Sequence, residues 1–196
     1  MNQRRLVLLA LLLVAVLIAA LLVPDVRLGR SETETQSSVG TSQLGEATAP
    51  LDRPVSLLVI GEGSIADGLG AALAAELEPR FPTVTVIEDE AAPANGSVLV
   101  VAVRNHTTSY TPVRATGEVA ADFAYVGSGN VSFATGLVTG EQLVVTNEEP
   151  YVVRGEVTVR DRSRGLFSVP GYRNHLREAL AGTLRQALVT APGMDA

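Results

Sequence analysis

The sequence predicts an α+β fold: a two-layer domain in which two amphipathic helices cover one face of a mixed, mostly antiparallel sheet. Three observations carry this expectation. Strand, helix and strand follow one another between Ser56 and Ile87; a series of strand-like segments without an intervening helix comes next; and a helix ridged with leucines closes the chain. An apolar segment and a polar stretch come before them. The 196 residues therefore divide into an anchor with its flanks (1–30), a linker (31–54), one folded domain (55–190) and a tail (191–196).

From Leu6 to Val23 the chain runs without a polar side chain, and as a helix these residues reach about 27 Å, the thickness of a bilayer core. The run ends Leu-Leu-Val-Pro-Asp, which lacks the small residues of a signal-cleavage site, so a retained single-pass anchor is expected. Arg4 and Arg5 place the N-terminus in the cytoplasm and the domain outside, with Arg27 and Arg30 opposing that bias. Ser31 to Pro54 holds eight Ser/Thr and no aromatic residue, and reads as a flexible tether.

In the domain, Ser56 to Ile60 is a continuous apolar run of the kind buried on both sheet faces. Ser64 and Asp67 form an S-x-x-D capping pattern, and Ile65, Leu69, Leu73 and Leu77 recur every four residues until Pro79 and Pro82 stop the helix. Thr83 to Ile87 is the next strand, and the right-handed crossover makes it parallel to the first. Strand-like segments follow at Val98 to Val103, Val113 to Val126, Val131 to Ala134, Leu143 to Thr146 and Tyr151 to Arg160, implying an antiparallel meander. In the last of these, Val153, Val157 and Val159 oppose Arg154, Glu156, Thr158 and Arg160, which gives the strand one wet face. Tyr172, Leu176, Leu180, Leu184 and Leu188 form the closing helix ridge from Tyr172 to Val189.

Composition narrows the function classes. With no cysteine, the chain has no disulfide, thiolate nucleophile, Cys-ligated zinc or lipid-modified cysteine. No Trp is present and 4% of residues are aromatic, too few to build stacking platforms for bases. All fifteen basic residues are arginine, and the net charge of −6 divides into +3 on residues 1–30 and −9 on the part after residue 30, where eleven Arg face twenty acids. A body of that charge is repelled by nucleic acid, which is not expected as a partner.

Several residue patterns suggest chemistry. Gly61-Glu62-Gly63-Ser64-Ile65-Ala66 matches G-x-G-x-x-A between a strand and a helix, with Glu88 and Asp89 at the end of the next strand. Gly61, Gly63 and Ser64 are therefore candidates for holding an anion at a helix N-terminus. A tight turn that needs glycine accounts for the same residues, and no further strand-helix units follow as a dinucleotide fold would require. Adjacent side chains of Glu88-Asp89-Glu90 point apart in an extended segment, so no metal site is expected. Ser64, His106 and His175 lack a catalytic setting: Ser64 has no G-x-S-x-G frame, His106 sits among polar loop residues and His175 adjoins the helix ridge. No catalytic residue is assigned. Arg160-Asp161-Arg162-Ser163-Arg164 is a candidate patch for an acidic partner or a lipid head group, weakened by the intervening Asp161. Asn95, Asn105 and Asn130 each open an N-x-S/T glycosylation sequon, where six Asn and 28 Ser/Thr would give roughly one by chance.

The expectation is a membrane-anchored extracytoplasmic domain, in the bilayer through Leu6 to Val23, that binds other envelope proteins, uses no cofactor and catalyses nothing. The alternative is a nucleotide- or anion-binding module using the Gly61 to Ala66 loop.

Overall fold

The computed structural model describes residues 11–12, 14–15, 27–42, 51–92, 94–111, 113–141 and 151–194. Most of the apolar run 6–23 and the strand expected at 143–146 lie outside them. Among the described residues no helix is long and apolar enough to cross a membrane.

The described residues form nine elements: β1 (Arg27–Ser42), β2 (Val55–Ile60), α1 (Ala66–Leu77), β3 (Val84–Ile87), β4 (Ser97–Thr111), β5 (Arg114–Val126), α2 (Val131–Thr139), β6 (Val152–Phe167) and α3 (Val169–Val189). The six strands form one mixed sheet in the order β1-β6-β5-β4-β2-β3. β2 is parallel to both β3 and β4, the expected crossover, and β4, β5, β6 and β1 pair antiparallel.

On one face, α1 and α3 lie together and bury the ridges read from the sequence. Leu69, Leu73 and Leu77 of α1 and Leu176, Leu180, Leu184 and Leu188 of α3 close over Leu57, Leu99, Val119, Phe123, Tyr125 and Val157. Ser168 caps α3, its side chain accepting a hydrogen bond from the Gly171 N–H at 3.0 Å, and Pro170 fits the first turn, where its missing N–H goes unused. The helix therefore starts three residues ahead of the expected Tyr172.

The expected two-layer arrangement is incomplete, because the second face is also covered at one end. Val131 to Ala134, expected as a strand, opens α2, whose Val131, Phe133, Ala134 and Val138 pack on Leu58, Val98, Val100, Ala124, Val126 and Val152. Asn130 decides this locally: its Oδ1 accepts from the Phe133 N–H at 3.0 Å, and Gly140 closes the helix in the left-handed conformation at φ 78°. Four residues, three of them apolar, fit either state, so the cap settles what periodicity leaves open.

β1 is the larger departure. The composition of Ser31 to Pro54 suggests a coil, yet residues 31–42 belong to an edge strand that pairs with β6 along its whole length, from Arg27↔Phe167 to Ser42↔Val152. The remaining tether residues up to 50 lie outside the described part. β1 has no apolar alternation, but it has a polar one. Ser31, Thr33 and Thr35 point to one face and Glu32 and Glu34 to the other, matching the two sides of β6.

Candidate functional site

The strand β6 continues to Phe167 and so places Arg160, Asp161, Arg162, Ser163 and Arg164 on alternating faces. Asp161, 1% exposed, and Ser163 point under α3, while the three arginines point to the open face. The acid that weakened the arginine patch in the sequence is thus on the far side of the sheet.

Beneath α3, Asp161 is the centre of a polar clamp. Its Oδ1 lies 2.9 Å from His175 Nε2 of α3, accepts from Ser31 Oγ of β1 at 2.5 Å and from Thr33 Oγ1 at 2.7 Å, and its Oδ2 accepts from Ser163 Oγ at 2.7 Å. Burial alone would push the carboxyl up, but hydrogen bonds from His175, Ser163, Ser31 and Thr33 outweigh it and hold Asp161 well below the usual carboxylate range. Burial, and next the Asp161 charge, push the neighbouring Tyr172 phenol upward. Gly117 of β5 leaves room for this: a Cβ there would lie 2.7 Å from Leu176 Cδ1 and 2.9 Å from the Tyr172 hydroxyl, so those side chains would have to shift.

Ser31, His175 and Asp161 have the residue types of a hydrolytic triad, but their geometry is different. Ser31 Oγ, at 2.7 Å, and Asp161 both meet the same ring nitrogen, Nε2. A relay needs acid and nucleophile on opposite nitrogens, so that the ring passes a proton between them. Here the three groups close on one another and tie β1, β6 and α3 together. Arg27 adds a second tie, giving two hydrogen bonds to Glu178 of α3 at 2.6 and 2.9 Å, which hold that carboxylate below its ordinary range.

On the open face the antiparallel registers stack side chains in rows across β5, β6 and β1. One row is Glu118, Arg160 and Glu34; the next is Thr116, Arg162 and Glu32; the last, at the ribbon tip, is Arg114, Arg164 and Arg30. Arg160 pairs with Glu118 at 3.2 Å. Among the described residues no carboxylate comes within 4 Å of the guanidinium nitrogens of Arg30, Arg114, Arg162 or Arg164. Two adjoining grooves of about 630 and 420 Å³ run along this face, the smaller one lined by these four arginines.

The Gly61 to Ala66 loop is arranged otherwise than its pattern suggests. Gly61 and Gly63 hold positive φ angles of 143° and 88°, as a tight turn requires. Ser64 makes no side-chain cap on α1; its carbonyl accepts from the Arg177 guanidinium, with Nε at 2.9 Å, and Arg177 also donates to Asn174 at 2.6 Å. The cation beside this helix start is therefore engaged with the protein itself.

No protein-family model matches the sequence, and no curated protein does. Among solved structures, the chain is similar to a PelC dodecamer from Paraburkholderia phytofirmans at 15% identity over 78% of this chain and 96% of that one, with a TM-score of 0.42. It is also similar to the lipoprotein GNA1162 from Neisseria meningitidis at 20% identity over 68% and 99% of the two chains, with a TM-score of 0.32. No role is taken from likenesses this loose.

The other sequence-predicted residues lie apart from the arginine face. His106, expected in a loop, belongs to β4 opposite Val119, and a Cβ on Gly63 would lie 3.2 Å from its ring. Glu88, Asp89 and Glu90 are exposed, and among the described residues no three His, Cys, Asp or Glu side chains gather as a metal site. Asn95 is exposed, but the Ser97 of its sequon is fully buried, its hydroxyl accepting from Tyr125 at 2.9 Å. Asn105, also expected in a loop, is an exposed strand residue beside a β4 bulge, and Asn130 is the α2 cap. Arg30 and Arg114 lie outside the 160–164 patch read from the sequence. The signal for them was pairing register, which one strand read alone does not carry.

Proposed function

We propose that this is a single-pass protein, held in a membrane by residues 6–23 with its N-terminus cytoplasmic, whose extracytoplasmic α+β domain binds envelope components and catalyses nothing. The observation that carries this reading is the contrast between the two faces of β6. The nucleophile-and-base chemistry under α3 is consumed in a structural clamp through one nitrogen, while the open face presents charged rows along a groove. Surfaces of that kind recognise by charge and shape and need no reacting group. The apolar run supports the anchor, since eighteen residues without a polar side chain suffice to span the hydrocarbon core.

The test is topological. The full chain expressed in a bacterial host stays in the membrane fraction through alkaline carbonate washing, and protease added outside the inner membrane removes the domain. Release by carbonate, or full protection of the domain from that protease, contradicts the reading.

A further inference from the structure

We propose that the tip of the β1-β6-β5 ribbon docks on the anionic head groups of the membrane that holds residues 6–23. In this arrangement Arg30, Arg164 and Arg114 meet lipid phosphates, and Leu28, Leu166 and Val113 enter the head-group boundary beside them. The inference rests on the anchored reading above and names the surface that the domain meets first.

Charge is the first argument. Three guanidinium groups stand in one cross-strand row, Arg114↔Arg164↔Arg30, where like charges directly opposite one another repel. Such a row is favourable when anions sit between its members, and arginine offers planar forks that fit phosphate oxygens in pairs. Of the acids nearest in sequence, Glu32 stands one step back on the same face, opposite Arg162 and more than 4 Å from any of the row's guanidinium nitrogens, and Asp161 is buried on the other face. The overall charge of −6 does not cancel this, because fields are screened over about 8 Å at physiological salt and the tip responds to its own side chains.

Apolar exposure is the second. Leu28 and Leu166 are register partners one step beyond the arginine row on the same face, 65% and 43% exposed. Val113, 63% exposed, closes the tip, its carbonyl accepting from the Gly165 N–H at 3.0 Å. Arginines flanking exposed aliphatic side chains have the composition of an interfacial contact, with apolar groups at the acyl boundary and cations among the phosphates.

Reach is the third. Three residues, Pro24, Asp25 and Val26, separate the apolar run from β1, and at about 3.6 Å per residue Leu28 lies no more than about 18 Å from Val23. A head-group layer is about 5 to 8 Å deep on each side of the hydrocarbon core. With residues 6–23 in the bilayer, the end of the ribbon that carries these six side chains is the end tied next to the lipid. An acidic protein partner would account for the arginines, but neither for the aliphatic trio nor for their position beside the anchor.

The experiment uses the full chain in vesicles. Because the sequence has no cysteine, Val113→Cys carries a single environment-sensitive fluorophore, and Gln186→Cys, on an exposed position of α3, carries the control. The label at 113 is expected to shift to the blue and resist an aqueous quencher in phosphatidylcholine vesicles containing phosphatidylglycerol. It should do neither in pure phosphatidylcholine, nor in the anionic vesicles at high salt. Arg164→Gln lowers the ratio of docked to free tip about fivefold, and the triple change at Arg30, Arg114 and Arg164 abolishes docking. Should the triple variant lose its fold by circular dichroism, the salt and lipid arms on the arginine-intact chain decide. Equal emission in both vesicle types overturns the proposal. So does shielding in neutral vesicles that rises with protein density, which would mark a second copy as the occupant. Carbonate extraction of the same vesicles judges the anchor separately: release with a shielded label removes the anchor and keeps the docking, and retention with an exposed label does the reverse.

Discussion

Arg164 and Asp161 lie three residues apart on one strand and face opposite sides of the sheet, the aspartate closed under α3 and the arginine in a row with Arg30 and Arg114. One position of strand register therefore separates the clamp that holds the domain together from the surface it presents.

The arginine row carries a stability consequence. Arg164→Gln removes the middle charge of three and is expected to raise the unfolding free energy by a few tenths of a kcal/mol at low salt, with the gain shrinking as salt is added. Urea unfolding at two ionic strengths checks this. A loss of more than about 1 kcal/mol would show that Arg164 is held by a contact that matters to the fold.

The clamp predicts acid sensitivity. The Asp161 carboxyl sits below its ordinary value of 3.8 in the folded chain, so the charged form is favoured by folding. Its stabilisation is complete above the unfolded value and is lost as the pH falls through that value toward the lower, folded one. The unfolding midpoint should drop between about pH 5 and pH 2. Asp161→Asn leaves Ser31, Thr33 and Ser163 with a poorer acceptor, which costs about 2 to 4 kcal/mol at neutral pH and flattens the acid dependence. An Asp161→Asn variant that keeps the full acid slope would assign that slope to other carboxylates.

Leu180, fully buried in the main core, tests whether α3 is part of the domain. Leu180→Ala is expected to lower stability by about 2 to 5 kcal/mol through lost burial and a residual cavity. A change below about 1 kcal/mol, in the range of surface positions, would mean that the helix leaves the sheet in solution.

Where side chains obeyed a single period, the sequence was legible. The leucine ridges of α1 and α3 and the alternation of β6 predicted the faces they bury, because burial on a helix or strand repeats with the geometry of that element. Val131 to Ala134 is ambiguous, since so short a segment, three apolar residues and Ser132, fits either period and the deciding group, Asn130, also reads as a turn former. β1 was hidden because its alternation is serine and threonine against glutamate, which offers no apolar face of its own and gains one surface only by meeting β6. The arginine site was half legible. Carrying the β6 alternation four residues further separates Asp161 from its neighbours, but Arg30 and Arg114 join through pairings 134 and 50 residues away in sequence, which no local pattern records.

The most direct test of an anchored domain resting its ribbon tip on the bilayer is a depth measurement. Nitroxide labels at Val113→Cys and Gln186→Cys of the full chain, in bilayers containing phosphatidylglycerol, are read by their relative exposure to oxygen and to a water-soluble nickel complex. The account predicts a label at 113 near the head-group and acyl boundary and a label at 186 in bulk water. Water-like exposure at both positions in a chain that carbonate does not extract would contradict it.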